Sequence, residues 1–152
     1  MQPAERSITL HGGCHCGALR IEFRTRLPVA DIAPRACDCT FCQKHGAAYV
    51  SDPAGELRIF VPEPEALRSC RQGSEAALFR LCSRCGVLVA VTFEHDNRLF
   101  AAVNARCLDE WAGLASSVPV SPRLLSPEEK KSRWVQLWIP DVELVPGVPP
   151  IA

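Results

Sequence analysis

The sequence predicts a small, mostly β domain with one or two short helices. Three observations carry this expectation. Several runs alternate apolar and charged side chains, helix signals are scarce, and seven of the nine cysteines fall into three tight clusters. Alternation with period two is the pattern of a half-buried strand. Cysteines at ligand spacing supply a metal cross-link that stabilises such a domain.

The elements follow in chain order. Leu19, Ile21 and Phe23 alternate with Arg20, Glu22 and Arg24, and Leu57, Ile59 and Val61 repeat the pattern around Arg58 and Phe60. Residues 76–81, 86–93 and 98–103 are further strands. Val87, Leu88, Val89, Ala90 and Val91 are continuously apolar, as in a central strand buried on both faces. His95, Asp96 and Asn97 are turn residues, so the last two runs form a hairpin. Asp109 can cap a short helix to Ala115. Ser126, Pro127 and Glu129 are a stronger start: N-cap, first-turn proline and capping-box carboxylate, opening a helix to about Trp134. Prolines at 119–127 and 140–150 mark irregular connections and an extended tail.

Length and charge bound the rest. At 152 residues the chain is expected to form one domain, 1–152. Its 47% hydrophobic content is ordinary for a globular protein, and its formal net charge of zero offers no basic stripe for nucleic acid. No run is long and apolar enough to span a bilayer, so a soluble cytoplasmic protein is expected. Thiols stay reduced in that compartment, where clustered cysteines read as ligands rather than disulfides.

The clusters are Cys14-His15-Cys16, Cys37-Asp38-Cys39-Thr40-Phe41-Cys42 and Cys82-Ser83-Arg84-Cys85. Gly17 follows Cys16 and Gly86 follows Cys85, and a glycine there lets the chain turn with positive φ and aim amides at the thiolates. Cys14, Cys16, Cys82 and Cys85 therefore read as two knuckles around one closed zinc. A rival ribbon joins Cys39 and Cys42 to Cys82 and Cys85. Cys37, Cys39 and Cys42 form the second set, three thiolates with one open position, suited to accepting an incoming thiol. Closure of that set by Cys107 or His45, an iron–sulfur cluster and free thiols are the alternatives. Cys70 and Cys107 read as small buried groups, Asn104 as a cap or turn residue, and Phe41 and Tyr49 as core or pocket wall. Trp111, Trp134 and Trp138 read as cover for the edges of the core.

Three runs also carry a family resemblance: Gly12-Gly13-Cys14-His15-Cys16-Gly17-Ala18-Leu19-Arg20, then Cys37-x-Cys39-x-x-Cys42-x-Lys44-His45-Gly46, then Leu81-Cys82-x-x-Cys85-Gly86. In order and separation they resemble the GFA/CENP-V family, named for the glutathione-dependent formaldehyde-activating enzyme. The likeness covers about 7–110, followed by a C-terminal helix and tail at 111–152. It implies a β-tent fold and two zinc ions per chain. One ion is structural, at Cys14, Cys16, Cys82 and Cys85. The other is of catalytic type, at Cys37, Cys39 and Cys42, with glutathione bound near it. The expected activity is carbon–sulfur lyase chemistry: a small thiol adds to an aldehyde such as formaldehyde, with His45 as the catalytic proton carrier. Arg35, Lys44 and Arg71 are candidates to meet the thiol's carboxylates. A non-catalytic zinc-stabilised binding module or zinc carrier is the alternative.

Overall fold

The computed structural model describes residues 6–72 and 75–150. Among these residues eleven strands form two sheets. The first, of four strands, takes β1 (Ile8–Gly13), β2 (Arg20–Thr25), β5 (Glu56–Phe60) and β11 (Asp141–Val145) in that order. The second, of seven, runs β10 (Val118–Val120), β3 (Arg35–Cys37), β4 (Ala48–Val50), β9 (Arg98–Asn104), β8 (Leu88–His95), β7 (Leu78–Cys82) and β6 (Leu67–Cys70). Two α-helices, α1 (Thr40–His45) and α2 (Pro127–Leu137), complete the fold. The expected mostly β class with one or two short helices is what is observed.

Alternation places the core between the sheets. Ile21 and Phe23 of β2 and Leu57 and Ile59 of β5 are buried with Val89, Ala101 and Val103 of the larger sheet. The opposite face of the larger sheet buries Tyr49, Phe79, Val91, Phe93 and Phe100 against Trp138 and the partly buried Trp134 and Leu137. β8 therefore has apolar neighbours on both sides, which explains its unbroken apolar run and its position between β7 and β9. The β8–β9 hairpin turns at Asp96 and Asn97 with φ of 51° and 61°, the left-handed pair that a two-residue hairpin needs.

The expected strands are all present, shifted by one or two residues at their ends. β1, β3, β4, β6, β10 and β11 were not expected. The tail read as irregular after Pro140 instead pairs parallel to β5, from Asp141 against Glu56 to Val145 against Phe60. Residues 109–115 form only a 3-10 turn at Trp111–Gly113 rather than an α-helix. α2 starts as expected: Ser126 Oγ accepts the Glu129 amide at 3.1 Å, and Glu129 Oε1 accepts the Ser126 amide at 2.9 Å. It runs one turn beyond Trp134, because Trp134, Leu137 and Trp138 keep their apolar face on the sheet.

The sheets are stitched near the first cysteine pair. Gly12 bridges Leu108, and a Cβ at Gly12 would collide with the Cys107 carbonyl oxygen, so only glycine permits this approach. No described helix is long and apolar enough to cross a membrane.

Candidate metal centres

Two groups of thiols converge, and they are the two read from glycine placement. Cys14 follows β1 and Cys16 lies in the next turn, while Cys82 ends β7 and Cys85 lies in the turn to β8. Their four sulfurs lie within 4.8 Å of one another. Cys14 and Cys16 are 3.7 Å apart, and Cys16 and Cys82 are 3.6 Å apart. A tetrahedral zinc with bonds of about 2.3 Å sets its sulfurs about 3.8 Å apart, so this set fits zinc without rearrangement. Gly17 and Gly86 have φ of 84° and 78°, as the knuckle turn requires. The Leu19 amide donates to Cys14 Sγ at 3.3 Å, and the Arg84 and Cys85 amides donate to Cys82 Sγ at 3.4 and 3.5 Å. Such donors stabilise thiolate charge. The rival ribbon of Cys39 and Cys42 with Cys82 and Cys85 does not form.

Cys37, Cys39 and Cys42 make the second group, again within 4.8 Å. Cys37 ends β3. Cys39 is the N-cap of α1, its sulfur accepting the Cys42 amide at 3.4 Å, and Gly46 closes the helix at φ 63°. Cys42 is buried in the helix with its sulfur 3.2 Å from the Tyr49 hydroxyl. The Cys42 thiol donates to Cys37 and thereby holds Cys37 down at about 6. That same hydrogen bond, together with burial, pushes Cys42 up. Neither Cys107 nor His45 joins this group among the described residues. Cys107 instead donates to the Leu88 carbonyl at 3.2 Å.

The three cysteines line a cavity of about 140 Å³. Phe79, Val91, Trp134, Leu137 and Trp138 also line it, as do Arg35, Arg123, Lys130 and Arg133. Lys130, Arg133, Trp134 and Leu137 recur at helical spacing, so one face of α2 forms a wall. The Pro-rich segment after β10 forms another. Ser121 Oγ donates to Asp38 Oδ2 at 2.6 Å, and Arg123 Nε lies 3.2 Å from Asp38 Oδ1. Asp38, set between two of the cysteines, therefore holds this segment over the site.

A family model described as the glutathione-dependent formaldehyde-activating enzyme matches residues 9–123. The chain belongs to this family. A crystal structure of a Rhodobacter sphaeroides protein is similar to this chain, with 28% identity, 71% of this chain and 99% of that chain covered, and a TM-score of 0.51.

Against the family motifs, the sequence-selected residues divide. The seven cysteines come together in two sets. His45 does not reach the cavity lining: it is exposed at the end of α1, its ring 4.7 Å from that of Phe41. Of the three cations proposed for carboxylates, Arg35 lines the cavity, whereas Lys44 is exposed outside it and Arg71 donates to the Glu75 carbonyl at 2.7 Å. Asn104 caps a 3-10 turn by accepting the Arg106 amide at 3.2 Å. The residues that sequence reasoning did not place are Arg123, Lys130 and Arg133, together with the hydroxyl of Tyr49. Their distance along the chain hides the first three, though the i, i+3 spacing of Lys130 and Arg133 is a signal for a shared face. Tyr49 gives no local signal.

Proposed function

We propose that this protein binds a small thiol, with glutathione the leading candidate, at a zinc held by Cys37, Cys39 and Cys42, and adds it to an aldehyde such as formaldehyde. The reading takes 1–152 as one domain working in the cytoplasm, where thiols stay reduced, with Cys14, Cys16, Cys82 and Cys85 holding a structural zinc. The observation that carries it is a three-thiol group that lines a cavity and, among the described residues, has no fourth protein ligand grouped with it. Zinc bound there would keep an added thiol in its nucleophilic thiolate form. The chain's own residues do the rest. Lys130, at the cavity wall, offers charge to a carboxylate of the thiol. The apolar wall keeps water from the reacting sulfur. Tyr49 holds Cys42 in place through its hydroxyl. In the addition, a carbon–sulfur bond forms as the C=O π pair moves to oxygen. The proton lost by the thiol ends on that oxygen, with His45 the carrier at the protein surface.

Native mass spectrometry with and without glutathione tests this. Two zincs per chain and a glutathione adduct that disappears in Cys39→Ser are expected. One zinc, or two zincs with no adduct, would retire the reading in favour of a zinc-stabilised binding module.

A further inference from the structure

The cavity beside the three-cysteine set is lined by two unlike groups of side chains. One is apolar and aromatic, with Trp134 and Trp138 stacked at 4.7 Å and Phe79 and Val91 beside them. The other is cationic. Arg35 Nη2 donates to Ser51 Oγ at 2.7 Å, and Ser51 in turn donates to the Leu137 carbonyl at 2.7 Å, so the guanidinium is fixed in position. Burial, and after it the nearby Arg133 charge, lowers the Arg35 pKa from its ordinary value. Among the described residues no Asp or Glu lines the cavity, and Arg35, Lys130 and Arg133 have no carboxylate within ion-pair distance.

A one-carbon aldehyde has no surface for the aromatic side chains to cover, and glutathione is a polar peptide without an apolar body. We infer that the cavity takes a small organic carboxylate with an aromatic or branched-alkyl body, its carboxylate on Arg35 and Arg133 and its body against Phe79 and Trp138. That this molecule is the carbonyl partner of the thiol rests on the function proposed above; the class of ligand does not. Both halves of the ligand are needed. Arginine pairs carboxylates through two parallel hydrogen bonds, and burying a ring on an aromatic wall adds the hydrophobic share.

Tryptophan fluorescence of the full-length, zinc-loaded protein, titrated with benzoate, acetate and benzyl alcohol, tests the inference. Benzoate is expected to bind at least about tenfold tighter than either of the others, since each lacks one of the two interactions. Arg133→Gln, an exposed position, should weaken benzoate about tenfold and leave benzyl alcohol within about twofold. An unchanged melting curve for that variant shows that folding is not the cause. Benzoate no tighter than acetate or benzyl alcohol, or an Arg133→Gln variant indifferent to the carboxylate, would overturn the inference. The glutathione adduct reports separately. Benzoate preference without an adduct retires the thiol chemistry and keeps the ligand class, and an adduct without benzoate preference does the reverse.

Discussion

The two cysteine sets use the same ligand chemistry for opposite ends. The four-cysteine set joins turns from two different sheets, and two of its thiols, Cys14 and Cys82, are buried. Its ligands come from distant parts of the chain, so a metal there closes a long loop and acts as a clamp. The three-cysteine set is drawn from one loop and the first turn of α1, and its sulfurs line a cavity. A metal bound there organises little that the chain does not already order locally. The lesson is that the sequence separation of ligands divides a structural centre from an accessible one as well as the number of ligands does.

The largest expected effect breaks the clamp. Cys82→Ser removes one buried thiolate of four and should cost most of the on the order of 10 kcal/mol that a structural zinc contributes to folding. Thermal melting should show the variant unfolded or strongly destabilised at ordinary temperature, whereas Cys39→Ser should melt close to the parent. Equal losses in both variants would erase the distinction between the two sets.

The next effect is smaller and acts on the cavity wall. Ser126→Ala removes the cap of α2 and should cost about 1 kcal/mol. Because that helix carries Lys130, Arg133 and Trp134, ligand affinity at the cavity should fall as well, while zinc content stays at two. The same cap predicts a pH dependence. The hydrogen bond from the Ser126 amide lowers the Glu129 pKa. A lowered folded-state value means that stability is present above the unfolded glutamate range and is lost as pH falls through the folded value. The parent should lose helix-cap stability in acid, and Glu129→Gln should flatten that part of the profile.

How much of this was legible in the chain depends on range. The five alternating or apolar runs, the Asp96-Asn97 turn and the capping box are local patterns, and each has its counterpart in the fold. The cysteine pairing was legible because Gly17 and Gly86 mark matching turns. β3, β4 and β10 span three residues each, too short for a period to show, and Pro119 in β10 reads as a strand breaker unless it lies at a sheet edge, where β10 does lie. β11 exists because β5 offers a free edge, which nothing near residue 141 announces. α1 is only six residues long and is set by the Cys39 cap and by Gly46 rather than by periodicity. The cavity was illegible for the same reason: its walls come from β3, β7, β8 and α2, and only tertiary packing brings them together.

The smallest expected effect concerns His45, the residue on which sequence and structure part most clearly. Its place three residues past Cys42 suggested a proton carrier at the rim of the site. The structure puts it on the exposed side of α1, its ring tilted against that of Phe41 and outside the cavity lining. A positioned general acid contributes roughly 10²- to 10⁴-fold in rate, but it must reach the reacting oxygen directly or through one water. From its position His45 can serve only through solvent, where buffer competes with it. His45→Ala should therefore slow thiol–aldehyde addition by no more than about threefold, with the loss restored by added imidazole. A hundredfold loss that imidazole does not restore would mean that α1 turns its C-terminal end toward the cavity during the reaction. In that case the three-cysteine loop, unlike the four-cysteine clamp, would be a moving part of the site.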